Sequence, residues 1–492
     1  MKKLLEYLQK IADLNYIATL MHWEMDTIAP KASFDYLIEV KTKIELEAFK
    51  LSTSQEFKKM LEETIASQEY QSLSFAEQTY LKSLLESYNR ESLVPADFYA
   101  EYTALCSKAN TIWLEAKEKK DYQIFKPYLA KVISFTKKYY TYKYPNSKNL
   151  YNDMLNEYEK GLTSDLIDPL FAEIKKELIP LIKQLKPINK IELNQTYTNE
   201  ELLSIAKTLL EYIGFSNDRG ALGIYPHGYT CKLNNNDVRI TFANNKSIFD
   251  HVCTVIHEGG HGIFEQNIGS NLSQFPIYDI DKYALHESQS RFFENILGRN
   301  LNFWLPIYDK IKDELKLDLS VEDFVKQLNI AKPSLIRTEA DELTYCFHII
   351  LRYEIEKDLF NNQINIDDLP NIWNKKMQEY LNITVPNDSL GLLQDVHWSQ
   401  GSFGYFPSYL LGSIFDGMLL EHLNNKLGNI NTLLKEGRIK EITKYLNQNI
   451  HQYGGTYNIN EVAIRLFNQE LTAKPLINYF KDKYQDKANL TK

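Results

Sequence analysis

The segment HEGGH, residues 257–261, places two histidines four positions apart, with a glutamate directly after the first. On an α-helix this spacing puts both imidazoles on one face, about 6 Å apart along the axis, so a single metal ion can bind both. Glu258 lies on the flank of that face, where it can reach a water on the ion but not the ion itself. The segment predicts a helix with His257 and His261 as metal ligands and Glu258 as a general base, unless this short match is coincidental.

Helical periodicity surrounds this segment through most of the chain. Apolar residues recur at spacings of three and four over residues 37–48 and 170–185, and Thr163 or Ser164 offers an N-cap to the second group. The segment DVRITF, 237–242, alternates polar and apolar residues and predicts one short strand in a small sheet. The best linker candidate is 186–199, yet helical patterning resumes on both sides. We therefore expect one large, mainly α domain over 1–492, with a helical part over about 1–200 and a catalytic part over about 201–492.

Composition excludes several classes of partner. The formal net charge is -9, and the Lys and Arg residues are spread among acids, so neither nucleic acid nor an anionic membrane is an expected partner. The four cysteines are far apart and form no CxxC pair, which is typical of a reducing compartment. The N-terminal segment MKKLLEYLQKIADLNY is too often interrupted by polar residues for a signal peptide. We expect a soluble, cytoplasmic protein.

A catalytic zinc ion usually has three protein ligands and an open fourth position, so a third donor is needed. Glu265 lies one helical turn beyond His261, too far along the axis, and is expected to be a solvated acid or a hydrogen-bond partner of a ligand. The segment ALHESQSRFFEN, 284–295, supplies His286, Glu287 and Glu294 on a second predicted helix. Spacing favours Glu287 and leaves His286 and Glu294 open.

Four motifs occur in order along the chain: HEGGH (257–261), HESQSR (286–291), IRTEAD (336–341) and GLLQDVHW (391–398). Together they resemble the signature series of the carboxypeptidase Taq family of zinc metallocarboxypeptidases. The segments HWEMDTIAP (22–30), DVRIT (237–241) and YGGTYNINE (453–461) extend the likeness over essentially the whole chain. The resemblance implies a helical zincin fold like those of neurolysin and angiotensin-converting enzyme, with a deep substrate cleft covered by the N-terminal part and a small β-sheet.

The resemblance makes Glu287 the third ligand of one Zn²⁺ per chain, at a site that also accepts Co²⁺ or Mn²⁺. Two departures from the family pattern stand out. Gly259 and Gly260 occupy the interior of the metal motif, where a bulky residue followed by glycine is commoner, and two adjacent glycines cost a helix roughly 1 kcal/mol each. Near His227 the usual His-Pro-Phe reads PHG, which leaves that histidine without a clear role.

The segment VHWSQGSFGYFPSY, 396–409, offers an imidazole and two phenols as hydrogen-bond donors. By likeness to related cleft peptidases, His397 and Tyr405 are assigned to the oxyanion and Tyr409 to the substrate's C-terminus. The alternative for any one of the 33 tyrosines is a packing role.

Arg337, in IRTEAD, has two interpretations. A guanidinium binds a carboxylate bidentately, and the resemblance places this arginine at the terminal carboxylate of a peptide. Spacing alone favours an i,i+4 pair with Asp341 on an exposed helix face. The DVRIT strand, including Val238 and Arg239, is expected to bind the substrate backbone by edge addition through main-chain groups, which predicts broad specificity.

The resulting hypothesis is a zinc-dependent carboxypeptidase that removes single C-terminal residues from peptide substrates, with Glu258 as base. One alternative is an oligopeptidase or dipeptidyl carboxypeptidase of the same fold. The other is a non-catalytic peptide-binding protein stabilised by a metal, although retention of Glu258 argues against it. Family likeness also implies a homodimer.

Overall fold

A computed structural model describes residues 1–186, 189–191, 193, 195–244, 247–269, 275 and 283–485. Helices dominate, as the periodicity predicts. The helices before the sheet are α1 (Lys2–Thr27), α2 (Phe34–Ser52), α3 (Gln55–Ile65), α4 (Gln68–Gln71), α5 (Phe75–Glu91), α6 (Ala96–Lys119), α7 (Tyr122–Lys143), α8 (Leu150–Tyr158), α9 (Ser164–Ile182) and α10 (Asn199–Ile213). Those after the sheet are α11 (Ile248–Asn267), α12 (Tyr283–Arg291), α13 (Leu301–Trp304), α14 (Tyr308–Leu315), α15 (Val321–Leu328), α16 (Tyr345–Phe360), α17 (Leu369–Leu381), α18 (Pro407–Leu427), α19 (Ile430–Lys435), α20 (Ile439–Asn449), α21 (Ile459–Phe467) and α22 (Lys474–Tyr484).

The metal-motif helix α11 has a defined start and a buried course. The Ser247 hydroxyl accepts a hydrogen bond from the backbone N–H of Asp250, 3.2 Å away, and so caps the first turn. The helix packs against α10, α12 and the sheet, and most of its side chains are buried. A π-helical turn, Phe292–Leu297, continues α12 on the far side of the site.

The sheet has three strands: β1 (Gly220–Ile224), β2 (Tyr229–Asn234) and β3 (Asp237–Phe242), in the order β1-β3-β2. The predicted strand is β3, with the predicted bounds. It pairs in parallel with β1 and antiparallel with β2, so both of its edges are occupied.

The central position of β3 corrects the expected role of the DVRIT strand. Its main-chain groups pair with neighbouring strands and cannot accept a peptide by edge addition. Val238 is fully buried, and Arg239 forms an ion pair with Asp237 and lies over the Trp23 ring. Neither Val238 nor Arg239 lines the cleft described below.

The N-terminal helices support the walls of the cleft. Trp113 on α6 donates its indole N–H to the carbonyl of Leu393 (3.0 Å), and Tyr122 on α7 donates its backbone N–H to Asp388 (2.9 Å). Every cleft-lining residue within the described ranges lies at position 190 or beyond. These helices therefore hold the 388–395 loop from behind.

Among the described residues, the helices are all too short or too polar to cross a membrane.

Candidate active site

His257 and His261 project from α11 toward Glu287 on α12. One oxygen of Glu287, Oε2, lies 3.8 Å from Nε2 of His257 and 3.5 Å from Nε2 of His261. One potential ligand atom from each side chain lies within 4.8 Å of the others. Two imidazoles and a carboxylate converging in this way form a metal-binding group, and the donor set is the one that zinc hydrolases use.

Gly260 permits this convergence. A β-carbon at position 260 would lie 2.7 Å from the carbonyl oxygen of Gln289 and 2.7 Å from Cα of Ser290, both backbone atoms of α12. Only glycine therefore lets α11 and α12 approach closely enough for Glu287 to face the histidines.

Gly259 faces the other way, toward α10. A β-carbon there would meet Leu210 Cδ2 and Ile213 Cδ1, each at 2.6 Å. These atoms are the ends of flexible side chains, so a larger residue is tolerated more easily than at position 260. The two glycines thus permit two different contacts, Gly260 with α12 and Gly259 with α10.

Glu294 orients His257. Its Oε2 lies 2.9 Å from Nδ1 of His257, which leaves Nε2 directed at Glu287, and its Oε1 pairs with Arg299 at 3.0 Å. Burial lowers the pKa of His257, but the hydrogen bond to Glu294 and the charge of Glu287 outweigh it and raise the pKa to about 9. The group is therefore rich in negative charge, as a cation site requires. Glu294 lies outside the metal-binding group and contacts one of its ligands.

Arg291 orients Glu287 from one turn further along α12. Its Nε lies 2.7 Å from Oε1 of Glu287, and its guanidinium stacks 3.8 Å over the Tyr345 ring. Burial raises the pKa of Glu287, but the Arg291 charge and the two histidines together hold it well below its usual range. Glu287 is thus a carboxylate with one oxygen held by Arg291 and the other turned to the histidines.

His286 and Glu265, the other candidates for third ligand, form a layer beneath His261. The His286 ring stacks on His261 with 4.1 Å between ring centres, and its Nε2 lies 3.0 Å from Glu265. Glu265 also pairs with Lys232 at 3.2 Å and is only 7% exposed. Glu265 is therefore not solvated, since its carboxylate is buried against the Lys232 ammonium and the His286 imidazole.

A cleft of about 1390 Å³ runs past the metal-binding group. Glu258, which is 6% exposed, lies at its wall directly beside His257. Arg337, Tyr405 and Tyr409 line the same cleft. The structure thus brings the predicted base, the predicted carboxylate anchor and two predicted phenols to the metal-binding group.

Arg337 does not form the alternative pair with Asp341 on an exposed helix. It lies in a short 3₁₀ turn, Arg337–Glu339, and is 7% exposed. Its Nε donates to Asp395 at 3.0 Å and its Nη1 to the Tyr345 hydroxyl at 3.1 Å. Asp341 instead accepts backbone N–H groups, including that of Lys332.

Asp395 is shared between two arginines. Its Oδ1 pairs with Arg337 at 2.9 Å, and its Oδ2 pairs with Arg352, whose Nε donates at 2.7 Å. Burial raises the pKa of Asp395, but the two guanidinium groups hold it well below its usual range. Two guanidinium groups against one carboxylate leave this three-residue cluster with one unit of positive charge.

Tyr405 and Tyr409 stand together in the cleft wall, with 5.1 Å between ring centres. Tyr409 also lies 5.2 Å from the Arg337 guanidinium. His397 is one layer behind: its ring packs on Tyr405 at 5.5 Å and on Phe406 at 4.5 Å, and it is not among the described cleft-lining residues. Burial and the two nearby arginines lower the pKa of His397 to about 4, although Asp395 opposes them, so its imidazole is neutral at pH 7.

Sequence reasoning missed three residues that hold this site. Arg291 carried a signal, because it follows Glu287 at the i,i+4 spacing. Asp395 stands in the GLLQDVHW motif but gave no sign of its partners, which lie 58 and 43 positions away. Thr230, which contacts Glu258, gave no signal.

Comparison with known proteins agrees with this geometry. Residues 3–484 match the family described as carboxypeptidase Taq (M32) metallopeptidase. The chain is 36% identical to carboxypeptidase 1 of Bacillus subtilis, over 99% of this chain and 98% of that protein. It is 29% identical to thermostable carboxypeptidase 1 of Thermus thermophilus, over 98% of each. A solved carboxypeptidase structure from Pyrococcus furiosus superposes with a TM-score of 0.92 at 28% identity, covering 98% of both chains.

Proposed function

This chain belongs to the carboxypeptidase Taq (M32) family and is a metallocarboxypeptidase, a peptide hydrolase, and from that membership we propose that it releases single C-terminal amino acids from peptides. The observation that carries the proposal is one cleft lined both by the His-His-Glu group and by Arg337. Hydrolysis at the first group, with the chain end held at the second, is the division of labour that an exopeptidase requires.

The metal-binding group fits one Zn²⁺ per chain, held by His257, His261 and Glu287, and Co²⁺ or Mn²⁺ would also fit. When bound, the ion polarises the peptide carbonyl and lowers the pKa of the attacking water.

Glu258 acts as the general base in this proposal. Its carboxylate takes the proton of the attacking water and later delivers it to the nitrogen of the leaving amine. Tyr405 donates a hydrogen bond to the oxyanion that develops on the carbonyl. His397 lies one layer behind Tyr405 and is not among the described cleft-lining residues, so we assign it to supporting the Tyr405 ring in place of the expected oxyanion contact.

Arg337 binds the substrate's terminal carboxylate in this proposal, and Tyr409 packs beside it. Of its five N–H groups, three are directed at Asp395 and Tyr345, which leaves two for a ligand. The uncompensated positive charge of the cluster favours an anionic chain end. Because every peptide ends in this carboxylate, the anchor supports broad specificity.

Amidated peptides test the direction of attack. We expect mass spectrometry to show stepwise loss of C-terminal residues from free-acid peptides and at least a tenfold slower reaction with the amidated forms, since a charge-assisted bidentate pair is lost. Equal rates for the free-acid and amidated peptides would show that Arg337 does not bind the terminal carboxylate and would favour an oligopeptidase.

Two pairs of measurements test the site itself. Glu258→Gln should retain zinc and lose activity, whereas a variant with both zinc and full rate would exclude the general-base mechanism. Glu287→Ala should lose zinc, while Glu265→Ala should keep it, because Glu265 lies outside the metal-binding group.

We propose a homodimer whose contact includes α2. Only Ala48 of this helix is buried within the chain. Ile38, Leu46 and Phe49 share one helical face and are each about half exposed. A second copy of the chain would cover this stripe. Light scattering should show a dimer that Phe49→Glu converts to a monomer, and a wild-type monomer would contradict the proposal.

A further inference from the structure

Glu258 has a partner outside the metal motif. The hydroxyl of Thr230, on β2, lies 2.7 Å from Oε2 of Glu258 and 3.0 Å from its backbone carbonyl oxygen. A hydroxyl has one proton to donate, and an ionised carboxylate is the stronger of the two acceptors. The short contact is therefore the one that orients the Glu258 side chain.

Thr230 is itself held in place by β3. The buried Thr241 hydroxyl donates to the carbonyl of His227 (3.0 Å) and accepts the backbone N–H of Tyr229 (3.1 Å). Thr230 then pairs with Ile240 in the antiparallel register. One buried hydroxyl thus fixes the backbone on both sides of the turn that leads into Thr230.

Gly228 presses this turn against α11. A β-carbon at position 228 would lie 2.6 Å from Thr254 Cγ2 and 3.5 Å from Cγ of Glu258. The backbone approaches the metal-motif helix more closely than a larger residue allows. The PHG segment therefore serves to seat the following threonine against the general base.

We propose that Thr230 is a positioning residue for Glu258. A glutamate side chain has three rotatable bonds, and an unheld carboxylate spends much of its time in rotamers that do not face the attacking water. The Thr230 hydrogen bond holds Oε2 and so keeps Oε1 available for the proton of the attacking water. The inference rests on the proposed function, because it matters only if Glu258 is the base.

The test compares Thr230→Val with Thr230→Ser. Valine keeps the shape of threonine and suits a strand but removes the hydroxyl, whereas serine keeps the hydroxyl. For Thr230→Val we expect kcat to fall by about 10- to 100-fold, a part of the roughly 10²- to 10⁴-fold that a positioned general base contributes, with KM and zinc content unchanged. Thr230→Ser should retain most of the wild-type kcat. Thr208→Val is the matched control, because it removes a threonine–glutamate contact (3.4 Å, to Glu314) outside the cleft.

Crystal structures of the two variants supply a readout independent of rate. Glu258 should occupy more than one rotamer in Thr230→Val and a single one in Thr230→Ser. A wild-type kcat in Thr230→Val would overturn the proposal. So would a decrease in kcat/KM that is explained by loss of zinc or by a higher KM. If Glu258→Gln is inactive while Thr230→Val is fully active, only this inference fails. If Glu258→Gln is fully active, Glu258 is not the general base, and the proposed mechanism is wrong whatever the result for Thr230→Val.

Discussion

We expect opposite effects on stability and zinc binding when each of the two glycines of HEGGH is replaced by alanine. Ordinary van der Waals contact begins at 3.4 Å, and a β-carbon at Gly260 would lie 2.7 Å from backbone atoms of Gln289 and Ser290. The α11 and α12 backbones must therefore separate by several tenths of an ångström. Overpacking of this kind costs about 1–3 kcal/mol, against which alanine regains roughly 1 kcal/mol of helix propensity.

Zinc affinity should be more sensitive to this separation of the helices than the unfolding free energy is. Glu287 precedes Gln289 on α12 and moves with it, and ligand distances tolerate only about 0.2 Å. We expect Gly260→Ala to lower the unfolding free energy of the metal-free protein by up to about 2 kcal/mol and to bind zinc at least tenfold more weakly. Gly259→Ala, whose β-carbon meets only side-chain ends, should match or exceed wild-type stability and keep its zinc affinity.

Urea unfolding of the metal-free proteins and competition with a chromophoric chelator measure the two quantities. Equal behaviour of the two variants would refute the assignment of Gly260 to the helix contact. Weakened zinc binding in Gly259→Ala alone would show that α10, and not α12, sets the position of the histidines.

Three further predictions follow from the partners of the site. Glu294→Ala should weaken zinc binding by about 10- to 100-fold in chelator competition, because it removes the acceptor that orients His257, whereas unchanged affinity would exclude that role. Asp395→Asn should lower the unfolding free energy by about 3 kcal/mol and raise KM for free-acid peptides, since it leaves Arg337 without its orienting carboxylate. A wild-type KM would show that Arg337 holds its position alone. His348 is a fully buried residue of α16, one helical turn before Arg352. Burial, together with the charge of Arg352, lowers its pKa to about 3, so its contribution to the free energy of unfolding is full above about pH 6.5 and is lost as the pH falls toward 3. His348→Asn should remove up to about 1.4 kcal/mol per pH unit of that acid dependence between pH 6.5 and 4, and urea unfolding with an unchanged slope would contradict it.

Local signals identified much of this site from sequence. HEGGH on a helix and Glu287 on the next helix follow from helical spacing together with the family motifs, and β3 follows from its alternation. The neighbours of β3 were not predicted, because GALGI carries two glycines and β2 is half-exposed on both faces, so neither shows a buried stripe. The central place of β3, and with it the error about edge addition, depends on these two weak strands.

Other parts of the site depend on contacts that no local pattern encodes. Arg337 has a helical i,i+4 partner in sequence, but the chain leaves helical geometry there and the arginine turns to Asp395. Glu265 lies outside the metal-binding group, as expected, but it is buried and not solvated, because it pairs with Lys232 from a strand more than thirty positions earlier. For both Arg337 and Glu265, the ion-pair partner comes from a distant part of the chain.

The bond from Trp113 to the carbonyl of Leu393 spans 280 positions of the chain, and it has a bearing on biosynthesis. The ribosome synthesises α6 and α7 long before the loop that carries Asp395. Until that loop is made, the surface of these helices that contacts it stays exposed. The ion pair between Arg337 and Asp395 can therefore form only after most of the polypeptide has been translated. A nascent chain should therefore acquire its activity only late in translation.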